Sequence, residues 1–443
     1  MAEFQHILQQ VRILPEMLPL LAPGAGCHLV GGALRDGLLH QQSCDFDFTT
    51  PGDPTVLAKA FARSIGGRWF LLDRSRRQSR VLGSVNGMEA SYDFAPWRGP
   101  TLTEDLRLRD FTVNALAWPV QERFDWAQVY DPLQGRLDLE HRILRHCSPQ
   151  SFDDDPLRIL RGVRLANQLQ MTLESATVEL MRASCASLAR VAPERIRQEL
   201  ALIFAARPVG PGLKQLQGLG LLEHLLGIAD PAVTAAGLRS VLAIEQSRHT
   251  LTAEYGRFGL DAESPLVDGF SRAGFFNLVA MLRANREGEG IPGAVALWPW
   301  SRKGQRLLQD LLALPATVAS RLSSLPPNPR GQALWVAELG AMPREVLSFI
   351  ALSCAGEPSV VQALSTAWQA YCEHVENRRI PDLVPVDWIQ SNLGWASGSL
   401  LGQCLEKVRQ AELQGLVSSR TEGENLLKSI GEKYIDKKRK RPL

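Results

Sequence analysis

At 443 residues the chain exceeds one ordinary domain, and length alone suggests roughly two to four. Hydrophobic residues make up 45%, aromatics 7% and charged residues 22%, a globular balance that excludes wholesale disorder. Lys+Arg 49 against Asp+Glu 47 gives a formal net charge of +2, too balanced for a surface that grips nucleic acid everywhere, though a local basic strip is compatible with it.

No apolar run approaches the ~18 residues of a membrane span, and the start MAEFQHILQQ lacks a secretory core, so no membrane partner is expected. The 7 cysteines are scattered, with no CxxC and an odd total. Neither a disulfide framework nor a cysteine zinc site follows, and a reducing cytoplasm is the simple reading.

In chain order, Cys27-His-Leu-Val30 reads as a strand running into Gly31-Gly32, and Cys44-Asp-Phe-Asp-Phe48 as a second, alternating acidic and apolar residues. Residues 53–65 have helical spacing, with Asp53 to cap and Gly66-Gly67 to stop it. A third strand is expected over 88–94, carrying Tyr92 and Asp93, and this mixed sheet with helices ends near Asp131-Pro-Leu-Gln-Gly135. Beyond Phe152 helical periodicity dominates, at 154–170, 175–188, 193–206, 235–244, 305–314, 333–339, 359–376 and 400–414. Pro/Gly-rich joints fall at 207–212 and 325–330, and no solenoid repeat is present. The fold class is α+β at the N-terminus, followed by a long all-α part.

On a strand, Asp45 and Asp47 project from one face while Phe46 and Phe48 bury on the other. Two carboxylates that close repel unless a cation sits between them, and magnesium suits oxygen ligands with positions left for water and phosphate. Two such ions roughly 3.5–4 Å apart would activate a hydroxyl and stabilise a departing pyrophosphate. Asp93 is the natural third carboxylate. The plain alternative is a solvated strand edge whose charges discourage pairing. Upstream, Leu29-Val30-Gly31-Gly32-Ala33-Leu34-Arg35-Asp36 reads as strand, glycine turn and helix start. Paired glycines let backbone amides approach a phosphate, and Arg35 would clamp one of its oxygens. A tight turn with a surface ion pair is the alternative.

These two motifs are followed by Leu106-Arg-Leu-Arg109-Asp110-Phe-Thr-Val-Asn114-Ala115, Asp131-Pro-Leu-Gln-Gly135-Arg-Leu-Asp138 and Phe152-Asp-Asp-Asp-Pro-Leu-Arg158-Ile-Leu-Arg161. In that order they resemble the tRNA nucleotidyltransferase/poly(A) polymerase family, in its bacterial-type (class II) CCA-adding branch. Weaker similarity runs through Pro193-Glu194-Arg195-Ile-Arg-Gln-Glu199. The resemblance implies a template-independent enzyme that builds or repairs the 3′ CCA end of tRNA from CTP and ATP with two Mg2+ ions. It implies a head (1–138), a neck that recognises the base (139–208), a body (209–330) and a tRNA-contacting tail (331–443). Asp45 and Asp47 would be catalytic, binding metal with Asp93. Gly31, Gly32 and Arg35 would bind triphosphate, Arg109, Asp110 and Asn114 the ribose, and Asp155 and Arg158 the base. Two departures stand out: Leu108 precedes Arg109 where the family pairs arginines, and Asp154 replaces the usual Glu before Asp155.

Asp155 and Arg158, three apart on an expected helix, would address one planar ligand. Cytosine and adenine both offer an amine donor beside a ring-nitrogen acceptor, whereas uracil and guanine reverse the pattern. Leaving buried groups unpaired in that way rejects a base by roughly 10⁴-fold, about 5 kcal/mol. Alternatively Asp155 is a helix-start residue paired to Arg158. Arg161 and Arg164 continue that helix as a possible contact to nucleotide or primer phosphates, or as a solvated face. Residues 67–81 resemble the mobile loop of CCA-type and A-adding members rather than the stretch typical of bacterial poly(A) polymerases, the rival reading. The same motifs are also compatible with a CC-only or A-only specialisation and with an inactive RNA-binding scaffold. Trp298-Pro-Trp300-Ser-Arg302-Lys303 reads as core anchors or as a tRNA clamp, and Lys437-Lys-Arg-Lys-Arg441 as a frayed or RNA-contacting end. No His-Asp pair with metal-ligand spacing accompanies His224 or His249, and no obligate protein partner is evident.

Overall fold

Aromatic residues at every second position build the N-terminal core. The computed structural model describes residues 16–21, 26–85, 88–250, 261–284, 291–314, 324–354, 357–376, 386–393 and 419–439, with residues 322, 384, 401, 404, 405, 407, 408, 411, 416 and 417. The chain divides into two units between Leu222 and Glu223.

In the first unit, strands β1 (His28–Val30), β2 (Asp45–Thr50), β3 (Arg68–Asp73), β4 (Gln78–Val85), β5 (Met88–Pro96) and β6 (Ala117–Pro119) form one sheet in the order β3-β4-β5-β2-β1-β6. Strands β2 and β5 run parallel and the other neighbours antiparallel, so the sheet is mixed as expected. Phe46 stacks on Tyr92 at 5.7 Å and Phe48 on Phe94 at 5.0 Å, while Phe61 of helix α1 (Thr55–Ser64) meets Tyr92 edge-on at 5.0 Å. Burying each such ring contributes about 1.5–3 kcal/mol, which commits this face of β2 to the core and its other face to solvent.

Helix α1 starts two residues after Asp53, whose Oδ1 accepts the Thr55 amide at 2.9 Å. It stops where Gly66, at φ +65°, lets the Gly67 amide reach back to the Ala62 carbonyl at 2.8 Å. The stretch 67–81 is not a loop. It is the β3–β4 hairpin, closed by Asp73, whose Oδ1 accepts the amides of Ser75 at 2.8 Å and Arg76 at 3.0 Å. The alternation through Trp69, Val81 and Tyr92 and the Asp73 turn together outweigh the local run of arginines.

The rest of the unit is helical around a two-stranded parallel pair, β7 (Ile143–Leu144) with β8 (Thr172–Leu173). Helices α2 (Ser151–Asp154), α3 (Arg158–Gln168), α4 (Ser175–Ser184), α5 (Pro193–Ala205) and α6 (Gly210–Gly218) follow, and α3 packs on α5 and α6. The single helix expected from 154 is therefore two. Asp155 is extended (φ −147°, ψ 98°) because the ring of Pro156 disfavours helical geometry in the residue before it. Because α6 packs on α3 and α5, the residues after 209, expected to open a body, fold with the first unit instead.

The second unit is built mainly of helices, among them α7 (Pro231–Thr250), α8 (Arg272–Leu282), α9 (Arg302–Leu312), α10 (Pro329–Ala337), α11 (Pro343–Ser353), α12 (Pro358–Tyr371), α13 (Val386–Leu393) and α14 (Arg420–Arg439). Proline opens α10, α11 and α12, where its missing amide costs nothing. The expected boundary at 330 falls inside α10. A small hairpin (Pro265–Val267 with Phe270–Ser271) departs from the expected all-α character. Trp298 is buried and Trp300 stacks on Phe270 at 5.8 Å while donating to the Val295 carbonyl, so these aromatics are core anchors; Arg302 and Lys303 are exposed. His224 is exposed; the side chains of His249 and of Lys437 to Arg441 lie outside the described residues. Among the described residues no helix is long and apolar enough to cross a membrane.

Candidate active site

The face of β2 opposite the aromatic core carries Asp45 and Asp47, both open to solvent. The parallel register sets Ser91 beside Asp45 and Asp93 beside Asp47. Asp45 accepts a hydrogen bond from the Ser91 hydroxyl. Asp47 keeps exposed surface, yet protein packed around its carboxyl displaces water there and, foremost for that reason, pushes it above its ordinary value. Arg109 lowers it, Asp93 raises it, and Arg161 and Asp45 add smaller opposing contributions. Asp93 faces the pair as expected, yet both its oxygens are taken by Arg80 of β4, Nε and Nη2 each at 2.7 Å. That bidentate ion pair is a departure from a free third carboxylate.

Gly31 precedes the helix Gly32–Leu38 with φ +80° and ψ −144°, a conformation essentially reserved for glycine. A Cβ there would sit 3.0 Å from Asp47 Oδ2 and 3.3 Å from Arg109 Nη1, so the glycine keeps open the space between carboxylate and guanidinium. Its amide donates to the Leu116 carbonyl at 3.3 Å, which corrects the expectation of a free phosphate-binding donor at that residue. Arg35 is also engaged. It donates to Asp36 Oδ1 from Nε at 2.8 Å and to Asn114 Oδ1 from Nη1 at 2.5 Å.

Asn114 passes the connection on, its Nδ2 donating to Asp110 Oδ1 at 3.1 Å; Arg161 Nε meets Asp110 Oδ2 at 2.9 Å. A continuous polar chain thus joins Asp36, Arg35, Asn114, Asp110 and Arg161. Burial by itself would raise the carboxyl of Asp110, but Arg161, Asn114 and the Phe111 amide, with Arg158, outweigh it and hold it below the usual carboxylate range. Arg109 lies 3.5 Å from the buried Asp105, itself bound to Arg98, and its Nε is buried without a hydrogen-bond acceptor.

The expected base-reading couple is separated in this arrangement. Asp155 Oδ2 accepts from Arg195 Nη2 at 2.9 Å, while Arg158 donates to the carbonyls of Leu108 (2.7 Å), Ser151 (3.0 Å) and Arg109 (3.2 Å). Arg164 is not part of an open ridge: its Nε binds Glu199 at 2.7 Å, tying α3 to α5. Sequence reading passed over Asp36, Arg80, Asp105, Ser151 and Arg195 as partners. Of these, Asp36 carried a signal, as the neighbour of Arg35 in the alternative ion-pair reading of the glycine turn, and so did Arg195, lying with Glu199 in the weaker similarity at 193–199.

Two carboxylates on an open face, offering oxygen donors only, fit a hard divalent cation. No group of three His, Cys, Asp or Glu forms a metal cage among the described residues. An ion held by Asp45 and Asp47 would therefore complete its shell with water and substrate oxygens.

Comparison with known proteins bears on the family and the fold. The family described as "Poly A polymerase head domain" matches residues 27–145, and "Probable RNA and SrmB- binding site of polymerase A" matches 170–235. The chain is 33% identical over 434 residues to the CC-adding tRNA nucleotidyltransferase of Geobacter sulfurreducens, covering 94% of both chains. It is 40% identical over 214 residues to the A-adding tRNA nucleotidyltransferase of Deinococcus radiodurans, covering 47% of this chain and 46% of that one. The solved Thermotoga maritima CCA-adding enzyme complexed with tRNA shares the fold, with a TM-score of 0.57 and 21% identity over 96% of each chain. The likeness to the Geobacter protein runs nearly end to end, and the chain belongs to the tRNA nucleotidyltransferase/poly(A) polymerase family.

Proposed function

We propose that this protein is a template-independent tRNA nucleotidyltransferase that rebuilds the CCA end, transferring nucleotide from CTP or ATP to an RNA 3′ hydroxyl with release of pyrophosphate. The observation that carries the reading is the open Asp45–Asp47 pair facing Gly31 and Arg109 across a space that a single methyl group would fill. Asp45 and Asp47 would hold Mg2+, which on binding would polarise the α-phosphate and lower the pKa of the attacking hydroxyl. Asp93, paired through both oxygens with Arg80, would stand beside the ion as a further oxygen donor. Arg35 and the Gly31–Gly32 turn would hold the triphosphate. Arg109, Asp110 and Asn114 would fix the ribose, Asn114 by keeping Arg35 and Asp110 in one network. Asp155 and Arg158 would judge the base after exchanging Arg195 and the backbone carbonyls for its edge, with Arg161 beside the phosphates. Action on tRNA in the cytoplasm goes with this reading, and the second unit, with the proposed tail, would contact the tRNA.

Within that activity, CC addition from CTP is the favoured specialisation, because the relative matched over 94% of both chains is CC-adding and because 67–81 is a tight hairpin instead of the mobile loop. A-addition is the second reading, supported by the higher identity of 40% to an A-adding relative over about half the chain. The test is incubation with tRNA ending before CCA, after C and after CC, with CTP and ATP supplied separately. Incorporation of two cytidylates and no adenylate is expected. Adenylate added only after CC establishes the second reading, and processive adenylation of any RNA end overturns both.

A further inference from the structure

The acidic face of the sheet continues past β5. Register aligns Asp47, Asp93, Arg80 and Phe70 in one row across β2, β5, β4 and β3, and Asp45, Ser91, Leu82 and Arg68 in the next. Directly opposed residues in neighbouring strands share a face, and the Arg80–Asp93 ion pair joins the inner members of the first row. At the outer end β3 is an edge strand. Phe70 and Leu71 are each 41% exposed and Leu72 49%, an unusual apolar run for an edge. Around it stand Arg68 and, in the turn, Arg74, Arg76 and Arg77, all exposed.

Exposed aromatic surface set among cations is the chemistry of single-stranded nucleic acid, whose bases stack while its phosphates are neutralised. A second copy of this chain fits worse, since a two-fold contact along β3 would set Arg68 of each copy near the turn arginines of the other. Reaction geometry points the same way. The Gly31–Gly32 turn follows β1, on one side of the Asp45–Asp47 strand, and the hairpin lies on the other. In-line displacement requires the attacking hydroxyl to approach opposite the departing pyrophosphate.

The geometry points to the outer face of the β3–β4 hairpin as the seat of the unpaired 3′-terminal nucleotides of the RNA substrate, Phe70 stacking on a base and Arg68 holding a phosphate. The seat lies three strand spacings from β2, roughly 14 Å at about 4.8 Å each. The inference rests on the nucleotidyl-transfer reading above and adds where the acceptor RNA lies.

The test uses the full chain and a tRNA ending after the first C, with 4-thiouridine at the nucleotide just before its 3′ end. After irradiation, mass spectrometry should find the crosslink within residues 68–82. Phe70→Ala and Arg68→Ala should each raise KM for the RNA by about tenfold, the loss of one stacked base or phosphate contact. KM for CTP should stay within twofold, and Phe70→Tyr, which keeps a ring, should restore RNA KM. A crosslink confined to other segments, or unchanged RNA KM in both alanine variants, overturns the proposal. So does self-association of the wild type that Phe70→Ala abolishes, with no crosslink at the hairpin. A hairpin crosslink from a protein that incorporates no nucleotide would support the RNA seat and sink only the assigned chemistry.

Discussion

Gly31 shows how much one missing atom group can control. Its positive φ and the 3.0 Å approach to Asp47 mean that any side chain both strains the backbone and fills the space facing Arg109. Gly31→Ala is expected to lower kcat at least tenfold, with a strain cost of about 1–3 kcal/mol visible as a lower Tm; activity and thermal melting measured together check it. Asp110 makes the pH prediction. Its carboxyl is held below the ordinary range in the folded chain, so it contributes stability that is complete above about pH 4, the usual unfolded value, and is lost as pH falls through the lowered native one. Urea unfolding from pH 6 down to pH 3 should lose stability more gently in Asp110→Asn than in the wild type. An equal slope in both would mean the Arg161–Asp110 pair is not linked to folding. Thiol chemistry sorts by position in the same way. Burial pushes the Cys27 thiol up to about 12, whereas Cys44 is exposed, so a maleimide at neutral pH should label Cys44 and spare Cys27 in the native chain.

Among the elements, the junction of α2 and α3 carries the sharpest lesson. Periodicity alone ran one helix through 154–170, but Pro156 makes Asp155 extended and turns Arg158 toward the 108–109 segment. Arg158 then donates to the carbonyls of Leu108, Arg109 and Ser151 from one guanidinium. Lysine carries the charge without the planar fork, so Arg158→Lys should lower stability by about 2 kcal/mol. It should also relax discrimination of CTP against UTP; thermal melting and competition between the two nucleotides measure each effect. Unchanged discrimination would remove Arg158 from base selection while leaving its anchoring role. The acidic pair, the glycine turn and the ribose motif were legible because each is local: a strand period of two or a glycine pair needs only neighbouring residues. The β3–β4 hairpin was partly legible in its alternation and in the Asp73 turn, yet the arginines at 74, 76 and 77 masked it.

For the whole molecule, the division at Leu222 offers a place to test the first unit apart from the second. A chain ending at Leu222 should bind CTP with Mg2+ within a few-fold of the full protein and lose most of its tRNA affinity, both measurable by calorimetry. Loss of CTP binding in a chain that still melts cooperatively would assign part of the nucleotide site to the second unit.

By itself the sequence determined the mixed-sheet head, the helical remainder, the acidic pair and the family, because these are written in short-range period and motif order. Tertiary structure alone decided which charges are free to act. Arg35, Arg158, Arg164, Asp93 and Asp155 look alike in a sequence whether they await a ligand or hold Asp36, a carbonyl, Glu199, Arg80 or Arg195. The reason is that those partners lie anywhere from one to fifty residues away, and only packing of strand on strand and helix on helix brings a guanidinium within reach of the oxygen that claims it.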